Sequence, residues 1–357
     1  MKNIFTFLLL SIGLSVNAQD DIIDQPSESG LQVVTENGNR GYRLIYSSYY
    51  NHGDIGSNAV DLSYSNSFSS TRGATGSYSI AMGYNTTASG TASTASGYSS
   101  TASANYSTAM GYFTTASGTE STAMGKGTTA IGTASTAMGS DTNASGKTST
   151  TMGEYTTASG SYSTSMGYFT TASGYFSTAM GRFSTASDYA STVIGHYNSS
   201  GSSVTNSALS FNTANTAFVV GNGTDSSNRS DAFKVMFNGD ATVSNDLTVN
   251  GDVTVSSDAR LKANIVSLGA TLSKLLNIDG KTYTVKKNGA QKIGVLAQDI
   301  QEVFPELVSE DNEGMLSVNY QGFIPVLINA LKEQQKEIEY LRAQEKRIDR
   351  LEQLIQN

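Results

Sequence analysis

The chain has 357 residues, 15% of them charged, and a formal net charge of −8 at pH 7. That length suits two or three domains, the charged fraction is low for an ordinary soluble enzyme, and no basic stripe is present to hold nucleic acid. It has no cysteine, and its two histidines, His52 and His196, lie far apart in sequence; disulfides and thiolate metal sites are excluded, and no metal or cofactor is expected.

Met1 to Ala18 reads as a secretory signal: Lys2 gives the positive start, Ile4 to Val16 the apolar stretch, and Val16-Asn17-Ala18 a small-residue cleavage site before Gln19. About 13 apolar residues are too few to span a bilayer, and no later stretch is long and apolar enough to do so as a helix. The product is therefore expected outside the cell or on its surface. Residues 19–40, acidic and polar, read as a flexible lead-in; 41–64, richer in aromatic and β-branched residues, read as short strands entering a repeat.

From Gly76 a strict period of seven begins. Of the 18 positions from 76 to 195 at this spacing, Gly fills all but Ala104 and Asp188, and two residues earlier Ala occurs 15 times. The residue just before each Gly alternates. One set runs Met82, Met110, Met124, Met138, Met152, Met166, Met180, Ile194; the other is mostly Ser, as at Ser89, Ser117 and Ser145. The true repeat is thus 14 residues, roughly STAMGxxTTASGxx. A coiled coil is rejected, because Gly in every heptad costs about 1 kcal/mol each in a helix. Short strands closed by turns, with Gly accepting positive φ, fit better, two per coil of a solenoid. Nine coils at ~4.8 Å would stack to roughly 43 Å.

This pattern resembles the head repeats of trimeric autotransporter (YadA-like) adhesins over about residues 55–200. The resemblance implies a left-handed parallel β-roll in which three chains pack side by side. Those adhesins end in a membrane β-barrel anchor, whereas this sequence finishes Leu354-Ile355-Gln356-Asn357 in a polar helix, so anchoring by that route is not expected.

Residues 201–256 keep β character without the repeat. Asn238-Gly239-Asp240 and Asn250-Gly251-Asp252 signal turns, with strands expected at 241–243, 247–249 and 253–255, together a β neck intertwined among three chains. At 257 the texture changes: residues 257–357 hold 27 of the 52 charged residues. Helix is expected over 268–278, strand over 281–287, a short buried strand at 293–296, helix from Ala297 to Phe304, and extended chain at 318–320. A final helix from about Pro325 carries Leu327, Leu331, Ile338, Leu341, Ile348, Leu351 and Ile355 at a spacing close to a coiled-coil seam. The expected divisions are 1–18 signal, 19–40 lead-in, 41–200 roll, 201–256 neck, 257–326 a compact charged domain and 327–357 coiled coil.

The runs Ser257-Asp258-Ala259-Arg260-Leu261-Lys262, GVLAQDIQEVFPELV at 294–308 and SVNYQGFIPVLINAL at 317–331 resemble the endosialidase-type intramolecular chaperone of phage tail spikes and tail fibres. That resemblance implies a domain that trimerises, helps fold the β-structured chain before it, and cuts itself off with a Ser/Lys dyad. Carried over by position, Ser257 is the nucleophile, Lys262 the base, and Ser256–Ser257 the bond cut. A serine hydroxyl is a poor nucleophile without a base, and a lysine in water, with a pKa near 10.4, is protonated and cannot serve; burial frees its lone pair. Cleavage would thus report assembly.

The expected protein is a secreted homotrimeric fibre or adhesin, mainly β, matured by its own C-terminal chaperone and acting as a single-turnover serine peptidase on itself alone. The rival is an exported glycan-degrading enzyme on a β-solenoid scaffold. It needs a carboxylate cluster, and Glu120, Asp141, Glu154 and Asp188 are scattered at unrelated registers. A glycan or surface-protein ligand is expected at rows of turn aromatics standing outside an Ala/Met core: Tyr112-Phe113, Tyr168-Phe169 and Tyr175-Phe176, with Tyr84, Tyr98 and Phe183 nearby. The bland alternative packs these rings between neighbouring chains.

Overall fold

The computed structural model describes residues 30–355 apart from 46, 200, 202–207 and 312–313. The signal expected at 1–18 lies outside the described residues. The chain is mainly β and divides into two compact units, one ending at Asn250 and the other beginning at Gly251.

In the first unit each 14-residue coil supplies one five-residue and one two-residue strand. The long strands stack in parallel from Val60–Tyr64 through Thr192–His196 to Thr216–Asn222; the short ones, from Gly73–Ala74 to Thr185–Ala186, form a second, nine-stranded sheet. The result is a β-solenoid. Register is one coil throughout: Ala109 faces Ala123, which faces Ala137, and Met110 faces Met124, which faces Met138. Alternation along a strand then decides what is inside. The Ala of both strands is fully buried from Ala81 to Ala186, and the Ser or Thr two residues earlier is buried with it. The expected Ala/Met core is therefore corrected. Putting Ala inward turns the adjacent Met outward, and Met110 and Met152 are exposed in the single chain; the interior is Ala, Ser and Thr.

The turns also differ from expectation. Gly139, at φ +119°, is the penultimate residue of a long strand, where a Cβ would run into the Gly153 carbonyl oxygen. The left-handed residue of each turn comes two positions later and is seldom Gly. Tyr106, Phe113, Glu120, Asp141, Tyr155, Tyr162, Phe169 and Phe176 all hold φ between +50° and +61°. A non-Gly residue pays about 1–2 kcal/mol for that conformation. The return is a backbone bond to the preceding coil: Tyr106 N–H donates to Thr91 O at 2.8 Å, and Phe113 N–H to Tyr98 O at 2.9 Å. A coil is thus strained alone and satisfied once stacked.

Both ends of the roll are closed by polar side chains. At the N-terminal end the flexible segment expected at 19–40 is corrected over 31–40, where Leu31–Glu36 and Asn39–Leu44 form an antiparallel hairpin. Asn37 and Gly38, at φ +48° and +81°, supply the two left-handed residues of a tight hairpin turn. The hairpin brings Arg43, 2% exposed, onto Glu36 at 2.6 Å and the fully buried Asp61 at 3.3 Å. At the other end the Asn198 carboxamide stands in for the missing next strand. It accepts from Thr185 N–H at 2.7 Å and donates to Thr185 O at 2.9 Å.

The 14-residue repeat ends near 198, as expected, but the long-strand sheet continues past it. Thr216–Asn222 resumes its register, with Ile194 facing Val220 and Gly195 facing Gly221. Asp231–Met236 and Ala241–Val243 then add antiparallel strands around Gly239, at φ +95°. The strands expected at 247–249 and 253–255 are absent among the described residues. Leu247, Val249, Val253 and Val255 are exposed there, because one chain offers this alternating stretch no partner.

The second unit holds α1 (Leu272–Leu275), α2 (Ala297–Val303) and α3 (Phe323–Ile355), with hairpins Lys281–Thr284/Gln291–Gly294 and Val308–Glu310/Leu316–Val318. The helix expected over 268–278 shrinks to α1, since Gly269, at φ +69°, leaves the helical region. The strand expected to be buried at 293–296 puts Ile293 83% in solvent. A small core gathers on Ile300, Phe304 and Val326. Glu333 of α3 accepts from the N–H groups of Thr271 and Leu272 at the start of α1, at 2.6 and 3.2 Å. Those bonds hold its carboxyl below the ordinary range, the Thr271 backbone bond contributing most.

Candidate functional site

Asp258 organises the junction. Its carboxylate caps the 3-10 turn Ala259–Leu261, accepting from Arg260 N at 2.9 Å. It also accepts from Arg260 Nε at 3.0 Å and Nη2 at 2.7 Å. The Arg260 side chain first, then its backbone N–H, hold the Asp258 carboxyl below the usual carboxylate range. One turn of chain then separates Ser257 from Lys262, whose N–H donates to Ala259 O at 3.1 Å. This folds the two side chains together, and Lys262 Nζ donates to Ser257 Oγ at 2.6 Å.

The structure therefore brings together the two residues that the resemblance selects. Ser256, Ser257 and Lys262 are all exposed in the single chain. Contact is present and enclosure by this chain is not. Sequence reasoning missed Asp258 and Arg260 as the pair that sets the turn. Asp before a short helical turn was the available signal.

The aromatic residues of the head stand outside the roll. Tyr112, Phe113, Phe169, Tyr175 and Phe176 are exposed and Tyr168 half-buried. They form interrupted stacks. Tyr64, Tyr84, Tyr98 and Tyr112 run in one, at centroid spacings of 6.0, 5.0 and 5.1 Å. Tyr155, Phe169, Phe183 and Tyr197 run in another, at 4.5, 5.1 and 4.5 Å. Phe176 lies parallel to Tyr162 at 4.9 Å. Between the two long stacks the strand-end position carries Lys126, Ser140 and Glu154 instead of a ring. Rings stacked coil on coil cover each other's faces and leave edges and hydroxyls outward. Of the scattered carboxylates, Asp188 is fully buried and accepts from Thr216 N–H at 2.8 Å, closing the roll.

Residues 257–309 match the family described as Chaperone of endosialidase. Six stretches between residues 74 and 198 match the YadA head domain repeat. Long tail fiber protein Gp37 of Escherichia phage AR1 is 36% identical over 84 residues, covering 21% of this chain and 8% of that protein. The chain thus spans a small fraction of the curated relative it matches. No helix among the described residues is long and apolar enough to cross a membrane. The chain thus carries stretches that match YadA head repeats ahead of a stretch that matches the endosialidase chaperone family.

Proposed function

We propose that this protein is an exported homotrimeric surface fibre, folded by its C-terminal chaperone and then released from it by self-cleavage between Ser256 and Ser257. The 2.6 Å contact of Lys262 Nζ with Ser257 Oγ, inside the segment that matches the chaperone family, carries the reading. Three copies bury the dyad, and the Lys262 ammonium gives up its proton to solvent as it is enclosed. Its amine then takes the proton of the Ser257 hydroxyl, and Oγ attacks the Ser256 carbonyl carbon. The C–N bond breaks as the Ser257 nitrogen takes the proton back from Lys262, leaving an ester. Water adds across the ester, yielding a Ser256 carboxylate and a fragment that begins with the free Ser257 amine.

The apolar seam of α3 supports the trimer. Leu327, Leu331, Ile338, Leu341, Ile348 and Leu351 are all exposed in one chain, along a helix of 33 residues, ~50 Å long. Second copies would cover it as a coiled coil, the outward Met row of the head packing likewise in a left-handed trimeric roll, with 201–256 as the neck. The aromatic stacks in this reading bind coil to coil rather than present faces to a ligand.

Expressed without residues 1–18, the chain should yield a fragment starting at Ser257, seen by intact mass and N-terminal sequencing. Ser257→Ala and Lys262→Ala should stay full length and still trimerise. Cleavage of Ser257→Ala at the wild-type rate would remove the dyad.

A further inference from the structure

Coil after coil of the head is fourteen residues long, so extra length marks something that stacking does not need. Ile80 and Thr94 pair directly at that spacing; Val60 and Ile80 also pair directly, yet twenty residues separate them. The surplus is a loop at 65–72. It meets a second loop, 47–54, which connects the N-terminal hairpin to the roll.

The two loops are tied together. Ser69 N–H donates to Tyr50 O at 3.1 Å, Gly53 N–H to Arg72 O at 2.9 Å, and Asn51 Nδ2 to Ser65 O at 2.8 Å. The buried Arg43 also donates through Nη2 to Gly53 O at 2.9 Å, anchoring the second loop to the polar cluster that closes the roll. Between them lies a pocket of about 200 Å³ whose lining includes Tyr49, Tyr50, His52, Asp54, Phe68 and Ser70.

The chemistry of this lining is unlike that of the rest of the head. Phe68 and Tyr50, at 79% and 70% exposed, are the two most exposed aromatic residues described. Phe68 stacks on no other described ring, and Tyr50 meets only the edge of Tyr49, at 5.7 Å and 71°. Their faces are open where those of the ladders are covered. The Asp54 side chain is exposed and has no described partner. His52 is 3% exposed; its Nδ1 donates to the Ser48 carbonyl at 3.0 Å, and its Nε2 has no described partner. No Lys or Arg lines the pocket.

We propose that this pocket binds one neutral hexopyranose ring, the terminal sugar of a surface glycan. Open aromatic faces take the C–H face of a sugar, and the carboxylate of Asp54 accepts from its hydroxyls. The pocket is smaller than the ~300–1,000 Å³ typical of drug-sized ligands, which suits a single ring. The absence of a lining cation disfavours an acidic sugar. The site stands whether or not the junction cleaves, and the fibre would present one copy per chain, so that weak single contacts add through avidity.

The test is saturation-transfer NMR on the chain lacking residues 1–18. The probes are the methyl α- and β-glycosides of glucose, galactose and mannose, taken singly. At least one should receive transfer at its ring C–H protons. Phe68→Ser with Tyr50→Ser should weaken its binding about tenfold or more, and Tyr98→Ser, within a ladder, should leave it unchanged. Transfer to none of the six probes overturns the proposal, as does undiminished binding by the double variant. If the double variant fails to fold, Asp54→Asn decides, since that exposed carboxylate supports nothing else described: weakened binding upholds the site and unchanged binding overturns it.

Discussion

The roll and the C-terminal unit solve the problem of burial in opposite ways. In the roll one chain completes its own interior, with Ala81 through Ala186 fully buried along two sheets and the ends sealed by Arg43, Asp61 and Asn198. In the C-terminal unit one chain buries little. Ile300, Phe304 and Val326 form its centre, while Ile265, Val266, Leu276, Ile293 and most of the α3 seam stay exposed. The roll is a finished object that is hard to start, because each coil carries left-handed residues repaid only by a neighbouring coil. The C-terminal unit carries no such ladder of strained turns, and in the proposed trimer partner chains would cover its exposed apolar residues. That difference argues for a division of labour, with assembly beginning at the C-terminus and the roll stacking afterwards. It also removes a hazard, since near-identical coils could slip by fourteen residues against a neighbouring chain while keeping almost every contact.

The largest effect is expected at the α3 seam. Leu341→Glu with Ile348→Glu puts charges on the exposed apolar face of α3 and should abolish both trimer and cleavage. Light scattering and intact mass would show a full-length monomer. Normal cleavage in that monomer would mean that the dyad needs no partner chains.

The next effect falls on the closed end of the roll. Asp61→Ala leaves Arg43 buried with only Glu36 as a charged partner and removes the acceptor of Ser63 N–H and Oγ. Breaking a buried pair costs about 3–5 kcal/mol. The cleaved head should melt earlier, and proteolysis should begin at the N-terminal hairpin. An unchanged melting temperature would show that the cap is dispensable.

A smaller effect is expected within the ladders. Phe169→Ser removes parallel stacking on Tyr155 and Phe183, two pairs worth about 0.5–1.5 kcal/mol each beyond their burial. The melting temperature should fall by a few degrees with surface adhesion retained. Lost adhesion with an unchanged melting temperature would instead make the row a ligand surface.

Much of the fold was legible because the repeat is strict: an Ala every seven residues, alternating with Met and Ser before the Gly, admits one strand register and one inward residue. The turns were read less well. Gly marks where backbones come close, whereas the strained position two residues on carries Tyr, Phe, Glu or Asp, with no shared chemistry to flag it. The Met row, expected in an Ala/Met core pooled among three chains, faces outward in the single chain, whose narrow interior is mostly Ala, Ser and Thr. Ser257 and Lys262 were found through a resemblance, and the turn held by Asp258 and Arg260 shows how they meet. The pocket at Tyr50 and Phe68 was missed, although the interrupted spacing between Val60 and Ile80 marked it. In the C-terminal unit the strand expected to be buried at 293–296 leaves Ile293 exposed, because an apolar run does not itself say whether its own chain covers it.

The roll is expected to need the C-terminal unit to form but not to persist. The direct measurement compares two preparations of residues 19–256, one expressed as a chain ending at Ser256 and one obtained by self-cleavage of the longer chain. Each is examined by light scattering and thermal melting. Aggregate or unfolded monomer is expected from the first and a heat-resistant trimer from the second, although the chains are the same. Equal yields of equally stable trimer from both would contradict this expectation.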